Sequence, residues 1–259
     1  MSEELLQEIR EGVAILTLNR PAKRNALTAG LLGEIAAAIT ALDENDAVRV
    51  LVLTGSDPAF CAGIDLRKLG TELSNSRILS VREGATNRGL MPPHVKPMIG
   101  AINGPAVTGG LELALGCDFL VASERASFAD THARVGVMPG GGMTIRLPEL
   151  IGVDRARRMS LTGDFVNAAT ALQWGLVTEV TAHDELLPRV FSLASSMAAI
   201  DPEPVVALRA LYGQIGDLVG DDAWSAEQQS YRAWMKQKFD SAAIAKRIDG
   251  VIERGSQQI

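Results

Sequence analysis

The chain of 259 residues contains few cysteine and histidine side chains, and this shortage excludes several kinds of site. Its two cysteines, Cys61 and Cys117, are too few for a disulfide framework at this length, so a reducing compartment is expected. The three histidines, His94, His132 and His183, have no metal-ligand spacing, and the sequence contains no CxxC motif. We therefore predict no metal site.

Positive charge and long apolar runs are also scarce. The formal net charge is -6 and the sequence pI is about 5.2, with Lys and Arg scattered, which argues against a nucleic-acid surface. No uncharged apolar run reaches roughly 18 residues, so no membrane span is predicted. The acidic start MSEELLQEIREG has no apolar core, which predicts no signal peptide and a cytoplasmic location.

Segments typical of strands and helices alternate through the first half of the chain. Hydrophobic residues make up 47% of the sequence, enough for a substantial core. Apolar runs predict strands at 13–19, 48–54, 96–102 and 117–122. Between the first two, Thr28 is the predicted N-cap of an amphipathic helix over 28–42. This alternation indicates an α/β architecture with parallel strand pairing.

The rest of the chain is less regular or purely helical. Residues 67–95 carry scattered charge and Pro92-Pro93, and we expect a helix-containing excursion over one face of the core. No strand is predicted after Val180. Helices are predicted at 184–200, 204–215, 221–238 and 241–254. Such a helical region either folds back on its own domain or mediates assembly.

Three turns contain glycine: AFCAGIDL at 59–66, Thr108 to Gly110, and MPGGG at 138–142. None fits the glycine-rich signatures of nucleotide-binding folds. The second turn opens a short helical run that carries Glu112. A helix N-terminus presents unpaired N–H donors and a partial positive charge, and glycine allows a carbonyl to approach closely. The pattern is that of an oxyanion hole with an acid or base beside it. From these residues alone, Glu112 is explained equally well as an acid placed to favour the helix dipole.

Eight motifs follow one another in a fixed order. They are Asn19-Arg20-Pro21, Asn25-Ala26-Leu27, FCAGIDL at 60–66, KPMIGAINGPAVTGGLELALGCD from Lys96, Arg125 to Phe128, Gly136 to Pro139, LTGD at 161–164 and GLVTEV at 175–180. Together they resemble the crotonase superfamily, the enoyl-CoA hydratase/isomerase family. The resemblance implies an α/β fold, a crotonase-type spiral of ββα units, with a helical C-terminal trimerisation region. It also implies a core with an acyl-CoA site at 1–190, an oligomerisation region at 191–259, and a homotrimer or a dimer of trimers.

The resemblance further implies an acyl-CoA thioester as ligand and no separate cofactor, because coenzyme A is part of the substrate. In this family two backbone N–H groups polarise the thioester carbonyl, and these map to Ile64 and Gly109. The residues expected to line coenzyme A and the substrate are Ala22, Lys23, Arg24, Ala26, Ala62, Gly63, Asp65, Leu66, Thr108, Gly110, Pro139 and Gly140. Lys23 and Arg24 would meet the phosphates, although solvated loop charge explains each of them equally well.

One departure from the family pattern concerns a reacting group. Glu112 aligns with the first catalytic glutamate of the hydratases, but the position of the second holds His132. A histidine serves as acid or base near neutral pH, yet its neutral ring accepts only one hydrogen bond. Asp130 would either orient His132 or cap a turn. Thr108 stands where a glycine is common, and it would narrow the pocket.

The expected activity is that of an enoyl-CoA hydratase, a lyase of fatty acid metabolism. It would add water syn to a 2-enoyl-CoA through an enolate held in the oxyanion hole and give a 3-hydroxyacyl-CoA. Because His132 replaces a glutamate, two alternatives stay open. One is an enoyl-CoA isomerase or another crotonase reaction, and the other is a binder of acyl-CoA without catalysis.

Overall fold

A computed structural model describes residues 3–65, 67 and 89–210, with isolated positions between 212 and 256. Most of the predicted excursion at 67–95 lies outside the described residues, as do most of the predicted helices at 221–238 and 241–254. In the described part of the chain, no helix is both long and apolar enough to cross a membrane. The same residues contain no group of His, Cys, Asp and Glu side chains suited to hold a metal ion.

The larger of two sheets has six strands in the order β1-β2-β3-β4-β6-β9. Their bounds are β1 Leu5–Arg10, β2 Val13–Leu18, β3 Val50–Gly55, β4 Met98–Ile102, β6 Phe119–Ser123 and β9 Glu179–Thr181. Neighbours pair in parallel except in the β1-β2 hairpin. Strands β3 and β4 are buried along their whole length, which explains their continuous apolar sequences.

A smaller sheet of three strands completes the spiral. Its order is β5-β7-β8, with β5 at Ala106–Val107, β7 at Ser127–Ala129 and β8 at Val166–Asn167. Strand β4 of the large sheet is followed by β5 of the small sheet and then a helix, and β6 and β7 repeat this order. The α/β class and the ββα spiral implied by the sequence motifs are therefore confirmed.

Seven α-helices whose two ends are both described pack around the sheets. They are α1 Ala29–Asp43, α2 Gly109–Ala114, α3 His132–Val135, α4 Met143–Ile151, α5 Val153–Thr162, α6 Ala168–Trp174 and α7 Leu186–Ala198. Helix α1 begins where the sequence predicts, because the Thr28 hydroxyl accepts a 3.1 Å hydrogen bond from the Leu31 N–H. Its buried face covers one side of the large sheet.

Helix α7 covers the opposite side of the large sheet. Leu186, Val190 and Ala194 form one apolar cluster with sheet residues that include Val13 and Val50. The predicted boundary between residues 190 and 191 falls inside this helix. A parallel sheet needs both faces covered, so α7 belongs to the core.

Residues 202–210 are helical, so this helix begins two residues before the helix predicted at 204–215. Arg209 fastens this segment to the large sheet. Its Nε donates to Asp118 Oδ1 over 2.8 Å, and its Nη1 donates to the His94 carbonyl over 2.6 Å. The segment is thereby held against the N-terminal ends of β4 and β6.

Candidate active site

Two backbone N–H groups on different segments lie side by side at the start of α2. A methyl carbon placed on Gly109 would lie 3.5 Å from the Ile64 nitrogen. Among the described residues, no backbone carbonyl accepts a hydrogen bond from either N–H. The structure therefore brings together the two donors expected to polarise a carbonyl.

The Ile64 segment is braced on both sides of the Ile64 N–H. The Gly63 carbonyl accepts from Leu27 N–H, and Asp65 N–H donates to the Leu27 carbonyl, each over 2.8 Å. Gly63 has a φ of +92°, and a side chain there would lie 2.8 Å from the Val107 carbonyl oxygen. Only glycine allows this backbone and this close approach.

Direction is given to the second donor by the peptide that precedes it. The Thr108 carbonyl accepts the first hydrogen bond of α2, a 2.9 Å bond from Glu112 N–H. In a planar trans peptide the N–H points opposite to the carbonyl of the same peptide. The Gly109 N–H is thus directed away from the helix, where a substrate oxygen would approach.

Glu112 is buried in α2, and its carboxylate reaches the start of α4. The Gly141 N–H donates to Glu112 Oε1 over 2.8 Å, and the Met143 N–H donates to the same oxygen over 3.4 Å. These donors stabilise the negative carboxylate, as the N-terminus of a helix does. A methyl group on Gly141 would lie 2.6 Å from Glu112 Oε2, so the absence of a side chain there makes room for the carboxylate.

His132 is held by Asp130 from within the same turn. Asp130 Oδ1 accepts from the His132 backbone N–H over 3.1 Å and from the ring Nδ1 over 2.6 Å. Burial on its own raises the pKa of Asp130, but hydrogen bonds from His132 and Ser160 outweigh it and hold that pKa below its usual value. Since an ionised carboxylate only accepts, Nδ1 carries a proton and Nε2 is the basic nitrogen. Of the two roles predicted for Asp130, the structure shows that it performs both.

The basic nitrogen of His132 faces the carboxylate of Glu112. His132 Nε2 lies 3.9 Å from Glu112 Oε2, and both side chains are nearly buried. This distance is too long for a direct hydrogen bond and short enough for both atoms to contact one small molecule between them. The pair can therefore remove a proton at one atom of a substrate and deliver one at a neighbouring atom.

The expected coenzyme A residues before α1 form a loop attached to the Ile64 segment. Ala22, Lys23 and Arg24 are exposed, whereas Ala26 is buried. The Arg24 carbonyl accepts from Ala62 N–H over 2.9 Å, so the loop and the 61–65 segment are neighbours.

Buried polar groups fix the shape of this loop. The Asn25 side chain donates to the carbonyls of Ser56 and Ala59, each over 2.7 Å, and accepts from Arg20 N–H over 2.8 Å. Asp65 lies 3.5 Å from the Arg20 guanidinium, which gives this predicted substrate-binding residue a partner within the protein.

The other predicted binding residues differ in placement. Pro139 and Gly140 are partly exposed in the turn before Gly141. Gly110 is buried, and a side chain there would overlap the Cys61 carbonyl, so its observed contact is one of packing. Leu66 lies outside the described residues.

Sequence reasoning did not identify the groups that position the side chains of Glu112 and His132. Gly141, Met143 and Ser160 were missed because their contacts join parts of the chain far apart in sequence. Asn25 was noted within a motif, but not as the polar centre of its loop. The glycine turn at 138–142 is the one local signal that could have found Gly141.

Known proteins of one family resemble this chain in sequence and in fold. A family model described as enoyl-CoA hydratase/isomerase matches residues 8–255. A probable peroxisomal enoyl-CoA hydratase 1 of Arabidopsis thaliana is 36% identical over 214 residues, covering 82% of this chain and 79% of its own. A crotonyl-CoA hydratase of Syntrophomonas wolfei is 40% identical over 197 residues, covering 74% of each chain. The crystal structure of an enoyl-CoA hydratase from Mycobacterium smegmatis is similar with a TM-score of 0.82 at 47% identity, covering 92% of this chain and 100% of that one.

Proposed function

The chain belongs to the enoyl-CoA hydratase/isomerase family, and we propose that it adds water to 2-enoyl-CoA thioesters to give 3-hydroxyacyl-CoA. The observation that carries this proposal is the 3.9 Å separation of Glu112 Oε2 and His132 Nε2, in a site that also presents two amide donors. The relatives named enoyl-CoA or crotonyl-CoA hydratase support the same substrate class.

Carbonyl polarisation is the first part of the mechanism. The thioester oxygen accepts hydrogen bonds from the Ile64 and Gly109 N–H groups. Electron density moves onto that oxygen as water attacks C3, and an enolate forms. Removal of one preorganised amide donor of this kind typically raises the activation barrier by about 3–4 kcal/mol.

Glu112 exchanges a proton with the water, and His132 exchanges one with C2. The Glu112 carboxylate accepts a proton from the water as its oxygen bonds to C3. Protonated His132 donates from Nε2 to C2, which consumes the enolate. The product leaves Glu112 protonated and His132 neutral, and one proton then passes between Oε2 and Nε2 to restore the starting state.

Asp130 makes this proton donor effective. Its ionised carboxylate lies 2.6 Å from His132 Nδ1 and stabilises the imidazolium. It also keeps the ring from turning, so that Nε2 and not Nδ1 faces Glu112. In this arrangement histidine replaces a glutamate without losing the ability to deliver a proton at neutral pH.

For coenzyme A we propose the loop over 22–26 and the segment over 62–66. Lys23 and Arg24 are exposed and bind the phosphates. The hydrogen bond from Ala62 N–H to the Arg24 carbonyl supports this assignment, because it joins the loop to the Ile64 segment.

The test is a substrate panel on purified protein. We expect loss of the conjugated enone absorbance with crotonyl-CoA, and a fall in kcat of roughly 10²-fold or more for Glu112→Gln. His132→Glu restores the usual family residue, and a large increase in its hydration rate would show that hydration is not the natural reaction. Absence of turnover with short and long enoyl-CoAs that bind would overturn the proposal.

A second candidate function is isomerisation of 3-enoyl-CoA to 2-enoyl-CoA. His132 favours it, because one base that moves a proton between C2 and C4 needs no second carboxylate to hold water. Formation of the conjugated product from a 3-enoyl-CoA would establish it. Binding of acyl-CoA without proton exchange at C2 would leave only the binding role.

We also propose assembly into a homotrimer or a dimer of trimers. Apolar side chains lie exposed on the single chain, among them Leu161 at 76%, Leu208 at 56% and Tyr212 at 73% of their surface. Where such side chains form a contiguous patch, they are typical of an interface between subunits. Light scattering coupled to gel filtration measures the state directly, and a monomer at micromolar concentration would contradict this proposal.

A further inference from the structure

The backbone of Thr108 has a conformation that a β-branched residue rarely adopts. Its φ is +53° and its ψ is -113°. Such a conformation is strained for a residue with a side chain and persists only where the surroundings impose it. This residue directly precedes Gly109, and its ψ sets the plane of the peptide that carries the Gly109 N–H.

Thr131 holds Thr108 in this conformation. The two hydroxyl groups lie 2.6 Å apart, and the Thr131 N–H donates to Thr108 Oγ1 over 3.2 Å. A third bond runs from Thr108 N–H to the Ala129 carbonyl over 2.8 Å. The segment before α2 is thus fastened to the segment before α3.

The Thr131 hydroxyl does not make the hydrogen bond that is expected of an N-cap residue. Thr131 is the N-cap residue of α3, and an N-cap threonine ordinarily accepts a bond from its own helix. Here the side chain makes no such bond. Thr131 is 4% exposed, and its hydroxyl is directed across the site to Thr108.

We propose that Thr108 and Thr131 are a pair of positioning residues that couples the oxyanion hole to the acid/base histidine. One hydroxyl contact links the residue before Gly109 to the residue before His132. It fixes the direction of the Gly109 N–H and the distance between that donor and the imidazole. The inference rests on the proposed function, because it assigns these two residues a part in the same reaction.

Hydration kinetics and a spectroscopic probe together test the coupling. The probe is butyryl-CoA labelled with ¹³C at the carbonyl, which has no double bond to hydrate. Infrared difference spectra report how strongly the oxyanion hole polarises that carbonyl. The variants are Thr131→Val, which removes the hydroxyl at similar shape, and Thr131→Ser, which keeps it.

We expect Thr131→Val to lower kcat for crotonyl-CoA about tenfold with little change in KM, since a misdirected donor acts mainly on the transition state. The carbonyl band should return part of the way towards its position in free butyryl-CoA. Thr131→Ser should keep both properties close to the wild type. Thr108→Gly gives a second measurement: glycine adopts this φ without strain, so the variant folds, yet it lacks the hydroxyl.

Thr54→Val is the matched control. Thr54 is buried in β3, and its hydroxyl donates to the Ala101 carbonyl over 2.9 Å, so this variant removes a buried hydroxyl bond elsewhere. The inference is overturned if Thr131→Val and Thr108→Gly keep the wild-type kcat and carbonyl band, or lose only stability as Thr54→Val does. If the wild type itself neither shifts the band nor hydrates crotonyl-CoA, the proposed function fails first.

Discussion

Asp130 Oδ1 lies 2.6 Å from His132 Nδ1 and also accepts the backbone N–H of the same histidine. One carboxylate oxygen therefore fixes both where the residue sits and which ring nitrogen carries the proton. The remaining nitrogen, Nε2, faces Glu112 across 3.9 Å. This relationship leads to the first prediction.

Asp130→Asn keeps an oxygen that accepts from Nδ1 but removes the negative charge that stabilises the imidazolium. We expect kcat for hydration to fall roughly 10²-fold. The high-pH limb of the kcat profile should move to lower pH, because the protonated ring is then less favoured. Stopped-flow or steady-state assays with crotonyl-CoA, carried out from about pH 5 to about pH 9, measure both effects.

The control for this variant is Asp154→Asn, which removes an exposed acid from the first turn of α5. It should leave the profile unchanged. A wild-type profile for Asp130→Asn would show that Asp130 only shapes the turn.

Gly141→Ala is predicted to displace the carboxylate of Glu112. The added methyl group would lie 2.6 Å from Glu112 Oε2, while the Gly141 N–H still donates to Oε1. A displacement of this size should lower kcat roughly 10²-fold. Crotonyl-CoA kinetics measure it, together with circular dichroism to establish that the variant is folded.

Gly33→Ala provides the comparison on the surface of α1, where an added methyl group meets nothing within 4 Å. It should leave kcat unchanged and stabilise the protein by about 0.5–1 kcal/mol in urea unfolding. Equal activity of both variants would contradict the role given to Gly141.

Sequence patterns predicted the centre of the fold well. The apolar runs located β2, β3, β4 and β6, because strands buried on both faces are apolar throughout. Strand β1 was missed, since LLQEIR at the sheet edge mixes charge with apolar residues. The boundary predicted at 190 falls inside α7, since a helix that covers a sheet has the same periodicity as one in a separate region.

Within the site, the sequence indicated the groups that lie in motifs and missed those that act across space. Ile64, Gly109 and Glu112 were identified from glycine turns and family motifs, and the structure places the two amides together. The bond from Gly141 to Glu112 joins residues 29 positions apart, and the Thr108 to Thr131 contact joins residues 23 apart. No local pattern encodes such pairs, since they depend on how two turns meet in the folded chain.

Both cysteines are predicted to be inert in the native protein. Burial raises the pKa of Cys61 to about 12 and that of Cys117 further, and a thiol reacts as its thiolate. We expect no reaction with an aromatic disulfide reagent at pH 8 on the timescale of minutes, and two reacting thiols in concentrated guanidinium chloride. A fast-reacting thiol in the folded protein would contradict the burial of one of them.

His94 is predicted to make stability depend on pH below neutrality. Burial lowers its pKa below the ordinary value of 6.5, and Arg209 nearby lowers it further despite the opposing contribution of the Pro92 carbonyl. Its Nδ1 lies 2.9 Å from that carbonyl, so Nε2 accepts from Arg209, which requires the neutral ring. The folded state thus binds a proton at His94 less readily than the unfolded state does.

The sign of the effect follows from linkage between protonation and unfolding. A folded-state pKa below the unfolded value means that the contribution of His94 is fully present above about pH 6.5 and is lost as the pH falls through the lower folded value. Urea unfolding of the wild type and of His94→Gln, which stays neutral, isolates this contribution. The free energy of unfolding of the wild type should fall more steeply on acidification than that of the variant. Parallel curves for the two proteins would contradict a lowered pKa of His94 in the folded protein.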